Sequence, residues 1–429
     1  MVGKDRALAA CEVALRECEG DQAEVLMLTN DEGFTRYANS EVTQHSVETN
    51  ARVTVKVIRG RKTGWATGNS LASDSMRRVA KQASANARAS QDDPELTALP
   101  GPRPLTPVQS YCESTANSGP GYRADNVAKV IRVAGKLGFQ AAGVCTTHVT
   151  ETAVANSIGV RAYQATTWVD LTCVVMSGEG SGYADAVVMD ADRLDAAQVA
   201  GEASMRCSLN RDQLALEPGE YSVILEPYAA GYLIGHLASG FRARAYQEGR
   251  SFLRSIGQKI VSENLTVWDD GPDPLGIPSS FDYEGQPKSK VVLVDKGVSA
   301  GLLYDSVSAA KEGKESTGHY GTTNLLAGEG PVSRDDLIAG TERAILVTRF
   351  HYVRPVHPQR TIITGMTRDG TFLVEHGAIS RAVMNMRFTE SVLEALASAD
   401  LSKERRLVGS LVVPAMRLAR FSFTARAGH

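Results

Sequence analysis

The chain lacks the cysteine patterns that mark disulfide frameworks and zinc knuckles. It has six cysteines, no Cys-x-x-Cys pair, and no cysteine after residue 207. We therefore expect most of them to be small buried hydrophobic residues. A metal site in the second half of the chain would also have to form without a thiolate from that half. The cysteines are Cys11, Cys18, Cys112, Cys145, Cys173 and Cys207.

Long apolar runs and a strong positive charge are also absent. No run has the roughly 20 apolar residues that cross a bilayer, and the N-terminal residues show no apolar signal-peptide core. The formal net charge of -3 argues against a nucleic-acid-binding protein that depends on overall positive charge. We therefore expect a cytoplasmic protein without membrane or nucleic-acid partners.

The 429 residues, 43% of them hydrophobic and 22% charged, suit a soluble chain with two or three domains. In the first half, helical periodicity alternates with strand-like segments, which predicts an α+β unit with an antiparallel sheet. Glycine-containing turns at 60–64 and 178–183 predict hairpins. A proline-rich connector at 91–108 suggests a boundary, so we predict regions 1–108, 109–216 and 217–429. Helices are predicted over 5–19, 72–89, 121–137 and 192–208, and the early strands over 24–28, 34–38, 41–48 and 51–58.

The second half has frequent glycine turns and short apolar runs, which predict a mostly β domain with inserted helices. A strand near residue 220 leads into a helix over 227–241, and a further helix is predicted over 384–398. Strands are predicted at 291–295, 343–350, 360–364, 371–375 and 410–413.

Several segments of the second half resemble one known family in their order and spacing. Together with the strand-rich region 22–67, they are similar to the TldD/PmbA family of peptidases, and within it to the TldE (PmbA) branch. The matching segments are YSVILEP (221–227), HLASGF (236–241), GRSFL (249–253), IGQKI to DD (256–270), FDYEGQP (281–287), VDKGV (294–298), LYD (303–305), AA (309–310) and STGH (316–319).

The resemblance implies a subunit of a two-protein peptidase. In this family TldD carries His-Glu-x-x-x-His and a further cysteine ligand for zinc, whereas TldE has a similar fold without the metal site. The complex cleaves unfolded or leader peptides, including those of modified peptides during maturation. For this chain the resemblance implies no cofactor of its own, a zinc-bearing TldD-like partner and a peptide substrate. Alone, the chain could form a homodimer through the surface meant for its partner.

The residues themselves indicate the branch without a metal site. His236 matches the first histidine of the motif, but Leu237 replaces the glutamate and Phe241 replaces the second histidine. A catalytic zinc ion needs three protein ligands and a base that activates water, so both requirements fail here. Leu233, Leu237 and Phe241 recur at four-residue spacing. This apolar stripe predicts a packing surface, either in the core or at a subunit interface.

Five residues are candidates for contact with a peptide substrate. Asp282 and Glu284 alternate on a predicted extended segment, and a pair of carboxylates can act in acid–base chemistry. Gly318 would let a peptide backbone approach closely. His236 and His319 complete the set, although a lone histidine on an apolar helix is more often structural.

Other residues are weaker candidates for a site. Ser239 lacks the glycines of a nucleophile elbow and an orienting acid. His351 and His357 bracket a proline and lack a carboxylate between them, which argues against a metal site. Two alternative functions stay open: an independent hydrolase with a rebuilt site using His236, Asp282 and Glu284, and a homodimeric peptide-binding module.

Overall fold

The first half of the chain is built on a long antiparallel sheet. The computed structural model describes residues 1–178, 180–319 and 321–426. The strands of this sheet are β1 (Gln22–Ala38), β2 (Glu41–Arg59), β3 (Lys62–Gly68), β4 (Gln140–Asn156), β5 (Arg161–Ser177) and β6 (Gly180–Val188). They lie in the order β3-β2-β1-β4-β5-β6, and every neighbouring pair is antiparallel. Because β1 pairs with β4, strands from both sides of residue 108 belong to one sheet. The division into three regions stays a prediction.

Helices cover one face of this sheet. α1 and α2 pack on a core that includes Val25, Met27 and Val55, and α4 and α5 pack on Cys145 and Leu171. Alternate residues point to the opposite face, where Phe281 from the second half packs. The helices are α1 (Lys4–Arg16), α2 (Ser73–Ala89), α3 (Glu113–Ala116), α4 (Pro120–Gly135) and α5 (Ala196–Leu209).

Cys11, Cys145, Cys173 and Cys207 are completely buried in these cores, which confirms the expectation from their sequence pattern. The predicted turn at 60–64 joins β2 to β3 as a hairpin. The turn at 178–183 joins β5 to β6, although Glu179 lies outside the described residues.

The second half is a mixed, mostly β unit. Its strands are β7 (Gly219–Leu225), β8 (Val267–Asp269), β9 (Val291–Asp295), β10 (Val298–Ser299), β11 (Leu325–Ala327), β12 (Arg343–His357), β13 (Ile362–Glu375), β14 (Ala378–Ala382), β15 (Met386–Ser391), β16 (Asp400–Val408) and β17 (Leu411–Arg426). Its helices are α6 (Pro227–Ser239), α7 (Ala243–Gln247), α8 (Ser306–Lys311), α9 (Arg334–Ala339) and α10 (Val392–Leu396). The α+β class predicted from the sequence is confirmed.

Part of this second sheet closes on itself. β17 pairs with both β15 and β7, and the path through β13 and β12 completes the ring. Phe350, Phe388 and Phe421 pack together in its core, with ring centroids 4.5 to 5.6 Å apart. α6 packs against β12 and β17, so the ring supplies a rigid support for this helix.

The helix predicted over 384–398 is wrong. Residues Met386–Ser391 form β15, and a short helix, α10, follows. Met386, Phe388 and Glu390 are buried in alternation, which is the two-residue period of a strand. The early strands are also longer than predicted, because the four short segments between residues 24 and 58 form two long strands. In the described part of the chain, no helix is long and apolar enough to cross a membrane.

Candidate functional site

The degenerate motif lies on α6, at the edge of a cleft. Pro227 occupies the first turn of this helix, where its missing N–H is tolerated. The apolar stripe predicted from the sequence faces inward, since Leu233, Leu237 and Phe241 are all 0% exposed in the core. The ring of Phe241 meets that of Phe252 edge-on, at 5.9 Å between centroids. The stripe is therefore core packing.

His236 projects from the same helix into a cavity of about 370 Å³. The side chain is half-buried, and this burial lowers the pKa of the imidazole below its usual range. At neutral pH it therefore presents an uncharged ring. Ser239 lies beside it, but the hydroxyl of Ser239 donates to the carbonyl of His236 at 2.7 Å, an ordinary helix contact. No acid in the described residues orients this serine as a nucleophile.

Arginines dominate the charge of the cleft. Arg242, Arg244 and Arg250 line it together with the carboxylate of Asp305. Asp305 caps α8 by accepting from the amide of Ser308 at 2.7 Å. The lining therefore has an excess of positive charge, which favours carboxylate and carbonyl groups of a ligand.

Two of these arginines share one carboxylate. The Nε of Arg244 lies 3.0 Å from Glu248 and the Nε of Arg250 lies 2.7 Å from the same group. Hydrogen bonds from Arg250 and then Arg244 lower the pKa of Glu248. These arginines were not predicted from the sequence, although all three lie within the 14 residues that follow His236.

His319 lines the same cleft as His236, so the structure brings these two predicted residues together. His319 is 1% exposed, and its Nε2 lies 2.8 Å from Oδ1 of Asp269. Its Nδ1 lies 3.1 Å from the hydroxyl of Thr317. Both ring nitrogens therefore have protein partners, which fixes the ring in the cleft wall.

Gly318 allows its own segment to pack closely against the backbone at Pro287. Its φ of 75° is left-handed, and a Cβ at this position would lie 2.2 Å from the carbonyl oxygen of Pro287. The left-handed backbone and the close carbonyl oxygen explain why position 318 is a glycine. Contact between Gly318 and a peptide ligand stays a prediction. Tyr320, the second residue after Gly318, lies outside the described residues.

Asp282 and Glu284 lie elsewhere. Asp282 lines a second cavity, between the first sheet and the loop 278–288. Burial, and then the neighbouring Glu284 carboxylate, raise the pKa of Asp282 to about 6. The carboxylate of Glu284 accepts from the amide of Ser306 at 3.0 Å, so it helps to hold the start of α8. The carboxylate pair and His236 therefore do not line one cavity.

Zinc does not fit the residues at the motif. Leu237 and Phe241 are buried in the core and carry no metal-binding atoms, so His236 is left without its two motif partners. Among the described residues, no group of three or more His, Cys, Asp and Glu side chains is placed to hold a metal ion, and this includes the surroundings of His351 and His357.

Comparisons with known proteins agree on one family. The model of the PmbA/TldA metallopeptidase C-terminal domain matches residues 218–425, and that of the PmbA/TldA metallopeptidase domain 1 matches residues 23–87. An uncharacterized protein of Methanocaldococcus jannaschii is 37% identical over 213 residues, which are 45% of this chain and 49% of that protein. The match thus spans about half the length of that relative.

Two further similarities extend over most of the chain. A metalloprotease TldD homolog of Buchnera aphidicola is 24% identical over 83% of this chain and 80% of its own length. The crystal structure of TldE from Thermococcus kodakarensis superimposes with a TM-score of 0.88 at 20% identity, covering 98% of this chain and 100% of that one. At this identity the structural similarity establishes the fold.

Proposed function

Since the chain belongs to the PmbA/TldD metallopeptidase family, we propose that it is a TldE-like, non-catalytic subunit. In this proposal it forms a complex with a zinc-bearing TldD-like chain. The His236 cleft helps to bind the unfolded or leader peptide that the partner cleaves. Zinc belongs to the partner, and this chain contributes binding surface.

The complete burial of Leu237 and Phe241 is the observation that carries the proposal. A general base must reach the substrate or its attacking water, and a metal ligand must reach the metal ion, whereas these side chains are buried in the apolar core. Placing a carboxylate and an imidazole there would also cost several kcal/mol, because the core offers them no polar partners. The helix has thus exchanged a polar site for packing.

The composition of the cleft supports a binding role. An uncharged imidazole and several guanidinium groups surround a volume of about 370 Å³. Guanidinium groups bind peptide carbonyls and carboxylates with directional hydrogen bonds. The hairpin of β12 and β13 reaches the cleft through Pro358, and the side chain of Gln359 donates to the carbonyl of Gly249 at 2.9 Å. The walls are therefore held in place before a ligand binds.

An independent hydrolase is the second candidate. It would require His236, Asp282 and Glu284 to act on one substrate. His236 and Asp282 line separate cavities, and Glu284 is engaged with the amide of Ser306. A homodimeric peptide-binding module is the third candidate, and it is distinguished from the first by the choice of partner.

A titration with the partner tests the proposal. The chain would be mixed with a TldD-like homologue from the same genome that carries an intact His-Glu-x-x-x-His motif. We expect a 1:1 complex by light scattering and cleavage of an unfolded peptide that exceeds the sum of the separate chains. Arg242→Ala should weaken peptide binding by the complex, while Arg61→Ala, in a hairpin turn of the first sheet, should not. Failure to form a complex, or equal cleavage by this chain alone, would contradict the proposal.

A further inference from the structure

A second cavity, separate from the His236 cleft, lies where the loop 278–288 meets the first sheet. Its volume is about 150 Å³. Thr152, Gln164 and Thr166 from β4 and β5 form one wall, and Asp282 and Lys288 from the loop form the other. The cavity is therefore built from both halves of the chain and carries one side chain of each charge.

The walls of this cavity are fixed by hydrogen bonds across the two halves. The amide oxygen of Gln164 accepts from the backbone N–H of Ser280 at 2.8 Å, and its Nε2 donates to the carbonyl of Pro278 at 3.0 Å. Farther along the loop, Gln286 donates to the carbonyl of Gly101 at 3.0 Å. The loop is thus clamped at both ends, and the cavity is preformed.

Only one of the two carboxylate oxygens of Asp282 has hydrogen-bond partners among the described residues. Its Oδ1 accepts from the backbone N–H groups of Glu284 and Gln286, each at 2.9 Å. Its Oδ2 has no hydrogen-bond partner among the described residues, although the side chain is only 4% exposed. A buried carboxylate oxygen without a partner is costly, so it marks a place for a donor that the chain does not supply.

Lys288 is the matching cation. It is 7% exposed, and its stem packs on Gly271, where a Cβ would lie 2.6 Å from the lysine Cβ. Within the described residues, no hydrogen bond or ion pair within 4.0 Å reaches its ammonium group, although Asp269 and Asp282 both act on it electrostatically. Both Asp269 oxygens already have partners, in His319 and Thr323.

From this pair we propose that the cavity binds a small zwitterion of the α-amino acid class. The ligand's ammonium group would donate to Oδ2 of Asp282, and its carboxylate would accept from Nζ of Lys288. Asp282 and Lys288 line the same cavity but are not joined within 4.0 Å, so a ligand with both charges can bridge them. A ligand with one charge would leave the opposite buried charge without a partner.

The size and the lining of the cavity limit which amino acids can bind. Its small volume suits amino acids with minimal side chains, such as glycine and alanine, and Thr152 and Thr166 offer hydroxyl groups to them.

The small cavity adjoins a larger cavity on the first sheet, because Thr152 and Tyr283 line both. The side chain of Tyr283 is 51% exposed. A ligand can thus enter from the larger cavity. This ligand site is independent of the function proposed for the His236 cleft.

The charge states of Asp282 and Lys288 determine the pH range in which the ligand binds. Burial raises the pKa of Asp282 to about 6 and lowers that of Lys288 to about 8. Both groups are charged between these values, so we expect affinity to be highest near pH 7 and to fall on either side. Three other charged groups act on Asp282 or Lys288: Glu24 on β1, Asp269 on β8, and Glu284 on the same loop. Lys56 on β2 acts in turn on Glu24.

Calorimetric titration of the full chain with four probes tests the inference. Glycine and L-alanine carry both charges, glycinamide has only the ammonium group, and N-acetylglycine has only the carboxylate. We expect 1:1 binding of glycine or alanine, and at least about tenfold weaker binding of the other two, since each lacks one charge-assisted hydrogen bond. No binding of glycine and alanine, or equal binding of a single-charge probe, would overturn the proposal.

Variants locate the site. Asp282→Asn and Lys288→Met should each weaken binding about tenfold or more. Lys290→Met is the control and should not, because Lys290 is exposed and lies over the ring of Trp268. Thr152→Leu fills the cavity without changing its charge, so it should also abolish binding. This variant locates the site even if a charge variant does not fold. Unchanged binding in Thr152→Leu would contradict the assignment.

Discussion

His319 and Asp269 form a hydrogen bond of 2.8 Å between two side chains that are both 0% exposed. Oδ2 of the same carboxylate accepts from the backbone N–H of Thr323 at 2.8 Å. His319 lines the His236 cleft, and Asp269 acts on Lys288 of the second cavity. This pair therefore joins the walls of the two candidate sites.

Removing the imidazole should destabilise the chain. His319→Ala leaves a buried carboxylate without one of its donors and opens a void, so we expect the free energy of unfolding to fall by about 3 kcal/mol. Urea denaturation measures this change. His357→Ala, at an exposed position, is the matched control and should shift the free energy by less than about 0.5 kcal/mol. Equal effects of the two variants would show that the buried hydrogen bond contributes little.

The glycine at position 318 should be intolerant of a side chain for two separable reasons. Gly318→Ala places a Cβ in a left-handed conformation and 2.2 Å from the carbonyl oxygen of Pro287. Gly313 has a φ of 63° but no atom within 4 Å of its Cβ position, so Gly313→Ala isolates the backbone cost. We expect a loss of about 1 kcal/mol at 313 and clearly more at 318, measured by urea denaturation. Similar losses would rule out the close contact as the cause.

Glu24 should make the stability of the chain fall as the pH rises. It is 5% exposed, and burial raises its pKa from 4.5 to about 7 despite the nearby ammonium of Lys56. The folded state thus binds this proton more tightly than the unfolded state, so stability is lost between about pH 4.5 and pH 7.

Replacing this carboxyl with an amide tests that sign. Glu24→Gln should raise the free energy of unfolding at pH 8 by about 2 kcal/mol relative to the parent chain, with a smaller gain at pH 4.5. Glu48→Gln, at an exposed position on β2, should leave the pH dependence unchanged. A gain from Glu24→Gln that is the same at both pH values would contradict the raised pKa.

The sequence predicted local features well and tertiary ones poorly. The inward stripe of Leu233, Leu237 and Phe241 was predicted because helical spacing repeats along the chain, and all three are in the core. The helix at 384–398 was wrong because the strand pairing of β15 decides the structure there. The cavity that Asp282 and Lys288 share with Gln164 depends on how the loop 278–288 lies against the first sheet, and no local sequence pattern predicts that arrangement.

Restoring the motif residues should damage the fold. Phe241→His removes a ring that packs edge-on against Phe252 and buries an imidazole without partners, so we expect a loss of about 3 kcal/mol in the free energy of unfolding. Phe241→Leu keeps the site apolar and should lose about 1 kcal/mol. The Leu237→Glu, Phe241→His double variant should not gain zinc. A stable double variant that binds zinc would show that the position still accommodates a metal site.

The zinc content of the unaltered chain distinguishes a non-catalytic subunit from a zinc peptidase. The purified protein would be loaded with excess zinc, dialysed, and analysed by mass spectrometry of the metal, alongside His236→Ala. We expect far less than one zinc ion per chain in both samples, since the motif offers one of the three ligands that a catalytic zinc ion needs. About one tightly held zinc ion per chain, lost in His236→Ala, would show that this chain carries a metal site of its own and is not a non-catalytic subunit.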